Sequence, residues 1–230
     1  MEMATIGEDR RSFMKRVRTS LERGSTGPPT EPVPEVDDAL ARIASPHEDL
    51  LARFADRAKA VGMVVHRVRS ELAVGTLVGV LRELQANRVG LGDAPVMRLL
   101  EVGEHLDNAG FDVIRWKAPM TLDEQYGLDV GITDVNAAIA ESGTLVCSSG
   151  PGITRGLSLV PPAHIAVVRR SDILEELTTF YRRQRGLPPS ELPSSITFIT
   201  GPSKTADIEG ELITGVHGPG HVHILLIEDA

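Results

Sequence analysis

The stretch that decides the fold runs from Gly131 to Val168: GITDVNAAIAESGTLVCSSGPGITRGLSLVPPAHIAVV. Val135 to Ala140 reads as a short helix-like piece that leads into Glu141-Ser142-Gly143. Thr144 to Cys147 follows as an apolar strand. An irregular loop with Gly150, Pro151, Gly152 and Arg155 comes next, then a Pro161-Pro162 stop. A second apolar strand, Ile165 to Val168, closes the stretch. Polar residues at strand mouths, flanked by glycines, are where α/β proteins usually keep their sites. A partner stretch, Ile196 to Gly220, reads ITFITGPSKTADIEGELITGVHGPG. It predicts strand, Gly-rich turn, helix and Gly-rich turn once more.

Outward from these stretches the same alternation recurs. Ser45-Pro46 reads as an N-cap with proline at the first helical position, and that helix is expected to reach Ala60. Met63 to Val68 is a short apolar strand. Ser70 caps a helix through Ala86, and Arg88 to Leu91 is the next strand. Ala94 to Asn108 is a helix closed by Gly110, and Phe111 to Trp116 is a third strand. Ser171 caps Asp172 to Arg185. Ile196 to Thr200 is a strand, Thr205 to Thr214 a helix, and Val222 to Ile227 the last strand. Strands alternating with helices of roughly 10 to 15 residues imply crossover units and a largely parallel sheet. Continuous aliphatic runs suit strands buried on both faces. About seven strands then fit one three-layer α/β/α domain.

Two segments precede that domain. Asp9 to Leu21 predicts a helix with Phe13, Met14, Val17 and Leu21 on one side and five basic residues among the rest. It is either a solvated amphipathic arm or a docking arm. Gly24 to Asp38, GSTGPPTEPVPEVDD, carries four prolines and two glycines and reads as an extended linker. The expected organisation is arm 1–23, linker 24–44 and α/β domain 45–230. An arm tethered this way is also a hint of a homo-oligomer.

Composition narrows the class. The chain has 230 residues, 41% hydrophobic and 3% aromatic, so its core must be aliphatic. Its net charge of -8 argues against a general nucleic-acid binder and gives no attraction to an anionic membrane. No apolar run approaches the roughly 20 residues of a membrane span. No signal-peptide core is visible, so a cytoplasmic location is expected. Cys147 is the only cysteine. An iron–sulfur cluster usually needs about four thiolates, so none is expected in this chain.

Several candidate residues stand out. Gly201-Pro202-Ser203-Lys204-Thr205 follows an apolar strand and opens the expected helix, where backbone N–H groups and the helix dipole welcome an anion. Ser203 and Thr205 add hydroxyls and Lys204 a charge. The structural alternative is a plain helix cap. Asp207 then sits in the first turn, either serving the dipole or aimed into the pocket. Glu141 ends the short helix-like piece, against the dipole, and is a candidate base, nucleophile or ligand-binding carboxylate. Asp134 reads as an N-cap. Arg155 suits a carboxylate or phosphate, or is a solvated loop charge. His217, between glycine turns, is a candidate substrate contact. His217, His221 and His223 have metal-like spacing, but no carboxylate or thiolate pattern accompanies them, so no metal site is expected. Glu141 precedes a strand, which places it opposite the Gly201 turn. It meets that turn only if its strand runs antiparallel or its segment folds over the edge.

Together the two stretches resemble the LUD-domain family. The carrying motifs are Gly131 to Val146, Leu159-Val160-Pro161-Pro162-Ala163-His164-Ile165, Gly201 to Glu209, and Gly215-Val216-His217-Gly218-Pro219. Asn136, Ser142 and Lys204 depart from the usual residues of those motifs. The resemblance implies the fold shared by sugar-phosphate isomerases and CoA transferases. It also implies an accessory subunit of a system that oxidises L-lactate to pyruvate, with iron–sulfur clusters in partner proteins and no cofactor in this chain. The alternative is a stand-alone small-molecule enzyme: a CoA transferase, a sugar-phosphate isomerase or a folate cyclo-ligase-like ATP user. Ala140-Glu141-Ser142-Gly143 resembles, over four residues, the glutamate motif of CoA transferases.

Overall fold

In a computed structural model, residues 9–21, 49–116, 121–150, 155–185, 187–188, 190–208 and 211–230 are described. Side chains of residues 206–208 and 211–212 are not among them. The expected N-cap at Ser45-Pro46 and the 24–44 linker lie outside these residues. The chain divides into two units, residues 1–37 and 38–230.

The first unit contains helix α1, Arg10–Ser20. Asp9 caps it, its carboxylate accepting the backbone N–H groups of Arg11 and Ser12 at 2.8 and 3.2 Å. Phe13, Met14 and Leu21 are exposed, and the Arg16 guanidinium lies 5.7 Å from the Phe13 ring centre.

The second unit is mixed α/β, built on a largely parallel central sheet. Its six strands are β1 (Val64–Val68), β2 (Arg88–Leu91), β3 (Asp112–Arg115), β4 (Val130–Asp134), β7 (Ala163–Arg169) and β12 (His221–Ile227). They lie in the order β1-β12-β7-β4-β2-β3, every pair parallel. Alternate residues of these strands face opposite ways. Ile165, Val167, Leu225 and Ile227 pack on one face against α3 (Ser70–Glu83), α4 (Pro95–Leu99) and α5 (Val102–Asn108). Ala166, Val168, Ile224 and Leu226 pack on the other against α2 (Leu50–Ala60) and a second sheet. That sheet has four strands: β5 (Ala137–Ile139), β6 (Thr144–Ser148), β8 (Ile173–Leu174) and β9 (Ile196–Ile199), in the order β8-β5-β6-β9. Short helices α6 (Leu122–Tyr126) and α7 (Arg155–Leu159) and helix α8 (Leu177–Arg185) complete the layer elements.

Four expectations are corrected. Val135–Ala140 is not helical: it contains β5, whose three residues are all buried. A segment enclosed on every side has no polar stripe to turn to water, and pairing with β6 and β8 overrides alanine's helix propensity. Thr205–Thr214 is not a helix either. Strands β10 (Lys204–Ile208) and β11 (Glu211–Thr214) form an antiparallel hairpin with Lys204 opposite Thr214. The β-branched Thr205, Ile208, Ile213 and Thr214 favour the pleated form. The expected helix over Ala94–Asn108 is two helices, broken where Glu101 takes a left-handed conformation (φ 49°). The one over Asp172–Arg185 starts only at Leu177, because Ile173 and Leu174 pair with Ala138 and Ile139.

Candidate functional site

The turns that carry Gly201, Ser203, His217 and Glu141 gather at the amino edge of the central sheet. Chain tension alone does not hold them there. The Ser203 N–H donates to the Pro219 carbonyl and the Gly215 N–H to the Ser203 carbonyl, both at 2.9 Å. The Gly220 N–H donates to Pro162 at 2.9 Å, directly before β7 and β12 begin. Gly201 has φ +108°, and a Cβ there would stand 2.6 Å from the Val61 carbonyl oxygen. Only glycine lets the turn press against the end of α2.

This geometry changes the physical basis of the expected anion site. No helix follows Thr205, so no helix dipole points at the turn, and the Ser203 N–H is already committed to Pro219. What remains for a ligand is the side chains: the half-buried Ser203 and Thr205 and the exposed Lys204. The Lys204 ammonium lies over the turn between α2 and β1, 3.3 Å from where a Gly62 Cβ would be. Asp207 lies on β10, not in a helical first turn, and its side chain is outside the described residues. His217 is exposed on the 215–220 turn, two residues from the Pro219 that Ser203 engages.

Glu141 arrives at the same end of the second sheet. Strands β6 and β9 are antiparallel, with Leu145 opposite Ile199, so the turn before β6 lies beside the turn after β9. Three hydroxyls join them: Ser142 to Thr144 at 2.7 Å, and Thr144 to Thr200 at 2.8 Å. The Glu141 carboxylate itself accepts the backbone N–H of Leu177 at 3.0 Å, capping the start of α8. It therefore does not sit at a helix C-terminus, and its placement has a structural cause. Arg155 opens α7 and is exposed. Its helix lies flat on β4 because Gly131 has no side chain: a Cβ there would be 1.8 Å from the Leu157 carbonyl oxygen. Arg155 is at the opposite end of α7 from Leu159, the end that approaches Gly218.

Beneath the turns lies a buried polar cluster. His164 is fully buried, and its Nε2 is 2.9 Å from the Thr133 hydroxyl. Burial pushes the imidazole down to about 4, so it is neutral at pH 7. Its Nδ1 has no hydrogen-bond partner among the described residues. Burial pushes the Cys147 thiol up to about 12, which keeps it protonated and unreactive. At the other end of β4, Asp134 closes the strand and is not an N-cap. Burial pushes its carboxyl up to about 6, with nearby Asp172 adding to the rise. A titratable group shifted this far toward neutrality is a site candidate. The available sequence signal was its place at the end of a strand beginning at Val130, an element hidden by Gly131 and Thr133.

The three spaced histidines do not converge. His66 Nε2 and His223 Nδ1 are 3.1 Å apart, their ring planes 8° apart and ring centres 5.4 Å apart. The N···N gap plus one ring radius at each end accounts for the whole separation, so the rings meet head-on in one plane rather than stacking. One donates and the other accepts; the gap is too short for a metal ion between them. Among the described residues no group of three or more His, Cys, Asp or Glu is placed to hold a metal. No helix among them is long and apolar enough to cross a membrane.

Comparison with known proteins agrees with this architecture. Residues 51–227 match the LUD domain model. Lactate utilization protein C of Bacillus licheniformis is 31% identical over 179 residues, covering 71% of this chain and 75% of that protein. The proteins of the same name from Exiguobacterium sp. and Bacillus subtilis are each 43% identical over 103 residues. In these two the alignment spans under half of either chain, 45% of the Exiguobacterium protein and 43% of the Bacillus subtilis one. The crystal structure of a DUF162 family protein from Deinococcus radiodurans shares the fold, with a TM-score of 0.56 at 24% identity over 78% of this chain and 96% of that one. With a glycine-dependent amino edge and a family match across nearly the whole second unit, the chain belongs to the LUD-domain family.

Proposed function

We propose that this chain serves lactate utilization as an accessory subunit of an iron–sulfur-dependent system that oxidises L-lactate to pyruvate. The observation that carries the reading is the 179-residue alignment to a protein named for lactate utilization, covering 75% of that protein. The redox centres belong to partner proteins in this reading, because a lone, buried thiol cannot ligate a cluster by itself. The contribution of this chain is to bind a small anion, a carboxylate or phosphate, at the amino-edge turns. The Lys204 ammonium and the Ser203 hydroxyl supply hydrogen bonds there, with His217 on the neighbouring turn. Thr205 follows Lys204 on β10 and faces the other side of the strand, and Arg155 stands at the far end of α7. Glu141 holds the start of α8 and so fixes the turn that abuts the site. The exposed apolar residues of α1 suit an arm that docks on a partner subunit or a second copy.

The test has two arms. Deleting the gene, in a host without a second lactate oxidase, is expected to abolish growth on L-lactate as sole carbon source. The purified chain alone is expected not to oxidise L-lactate with an artificial electron acceptor. Normal growth of the deletion strain overturns the lactate role. Turnover by the isolated chain overturns the accessory role and makes it an enzyme in its own right.

A further inference from the structure

The carboxyl edge of the central sheet carries a cleft that the lactate reading leaves without a role. It opens where β2 and β3 end and α4 and α5 begin, and its volume is about 510 Å³. Ligand pockets run from roughly 300 to 1,000 Å³, and in parallel α/β sheets they lie outside the carboxyl ends of strands. Its floor is apolar, made by the buried Leu91 and Met97. Its wall is Trp116, the only tryptophan in the chain. The Trp116 backbone N–H donates to the Leu91 carbonyl at 2.8 Å, which ties wall to floor.

The rim is polar and mixed in sign. Arg98 is ion-paired with Asp93, and Arg115 with Asp107. Glu101 and Glu104 complete it. Two features hold this rim in place. Glu101 takes a left-handed conformation (φ 49°, ψ 36°), uncommon for a residue with a Cβ, and this breaks one helix into two at the cleft mouth. Gly103 leaves room for the Arg115 guanidinium, which a Cβ would approach to 2.8 Å.

We propose that this cleft binds a planar nitrogen heterocycle that carries no phosphate, a purine nucleoside being the simplest case. A flat apolar face stacks on the indole and rests on Leu91 and Met97. The edge of such a ring presents donors and acceptors side by side. The rim matches it, with guanidiniums that donate and carboxylates that accept. Three carboxylates among the lining residues face two guanidiniums that are already paired, so a phosphate tail gains no net positive field there.

Trp116 is its own reporter, since all indole emission comes from the cleft. Adenosine, guanosine, ATP and ribose are titrated into the full chain. Adenosine or guanosine is expected to change the emission saturably, ATP to bind about tenfold more weakly through like-charge repulsion, and ribose to do nothing. Calorimetry with the better nucleoside then separates stacking from fold: Trp116→Phe keeps binding within a few-fold, and Trp116→Ala loses it. The proposal is overturned if neither nucleoside gives an emission change or heat, if ATP binds as tightly as adenosine, if ribose alone binds, or if Trp116→Ala binds like the wild type.

Discussion

The two edges of the central sheet are built differently. At the amino edge, turn fastens to turn through backbone hydrogen bonds, Ser203 to Pro219 and Gly220 to Pro162. At the carboxyl edge, side chains of opposite charge do the fastening. Arg169 grips Asp172 with both ends of its guanidinium, at 3.0 and 2.7 Å, and Arg98 pairs with Asp93. Most of the motif glycines and prolines lie at or near the first edge, whereas the strongly shifted Asp134 and the Trp116 cleft lie at the second. A glycine-rich motif therefore marks where backbone must come close to backbone. It does not by itself mark where protons move.

The largest expected effect breaks the amino-edge half of the comparison. Gly131→Val places a side chain on the Leu157 carbonyl, a backbone atom that cannot rotate away. Overpacking of this kind is expected to cost about 3 kcal/mol or more, read by urea unfolding. A stability loss under 1 kcal/mol means that α7 does not lie on β4 as described.

The next effect sets the two regions against each other by pH. Folding raises the Asp134 carboxyl from 3.8 to about 6, so between those values the folded state holds more protons than the unfolded one. This group therefore stabilises below pH 4, and that stability is lost as pH rises through 6. Folding lowers His164 from 6.5 to about 4, so over a similar range the unfolded state holds the extra proton and stability rises with pH. The slopes oppose. Asp134→Asn removes the falling one, so the variant should gain on the wild type by about 2 kcal/mol between pH 4 and 7. Parallel pH profiles for the two proteins would show that Asp134 is not held neutral by the fold.

Glu141 sharpens the comparison at a smaller scale. Glu141→Ala removes the cap on α8 and is expected to cost about 1 kcal/mol. Glu141→Gln keeps an acceptor oxygen and should cost less while supporting growth on L-lactate. Loss of growth with an unperturbed melting temperature in Glu141→Gln would make the carboxylate a chemical participant. The smallest effect is on stability in the double variant Ser203→Ala, Lys204→Ala. Ser203 is half-buried and Lys204 exposed, and unfolding is expected to shift by under about 0.5 kcal/mol.

The legibility of this molecule follows the same division. The strands at Ala163 and His221 are readable because parallel strands covered on both faces are near-continuous aliphatic runs, whereas those at Val64 and Asp112 are partly exposed edge strands legible only as short apolar runs between helices. Val130–Asp134 escaped, since Gly131, Thr133 and Asp134 interrupt the run for reasons of packing against α7 and the second sheet. The second sheet was least legible. Ala137 and Ala138 are helix formers, and only strands far along the chain make them β. The hairpin at Lys204–Thr214 pairs locally and is rich in β-branched residues, but the Gly-Pro-Ser turn before it has the composition of a helix cap, so sequence alone predicts a helix and a dipole that are not there. Glu141 was conspicuous in the sequence, but its partner is an N–H 36 residues away. The Glu101 break and the cleft it shapes have no local signal beyond a lone tryptophan at a strand end.

In the proposed function the amino-edge turns hold a small anion by side chains rather than by a helix terminus. Calorimetry of L-lactate, pyruvate, phosphate, sulfate and CoA against the wild type and the Ser203→Ala, Lys204→Ala variant tests it most directly. At least one of these anions is expected to bind the wild type and to lose a few kcal/mol in the folded double variant, as lost charge-assisted hydrogen bonds do. Binding of none of them, or equal binding by both proteins, contradicts the claim and leaves the turns as architecture alone.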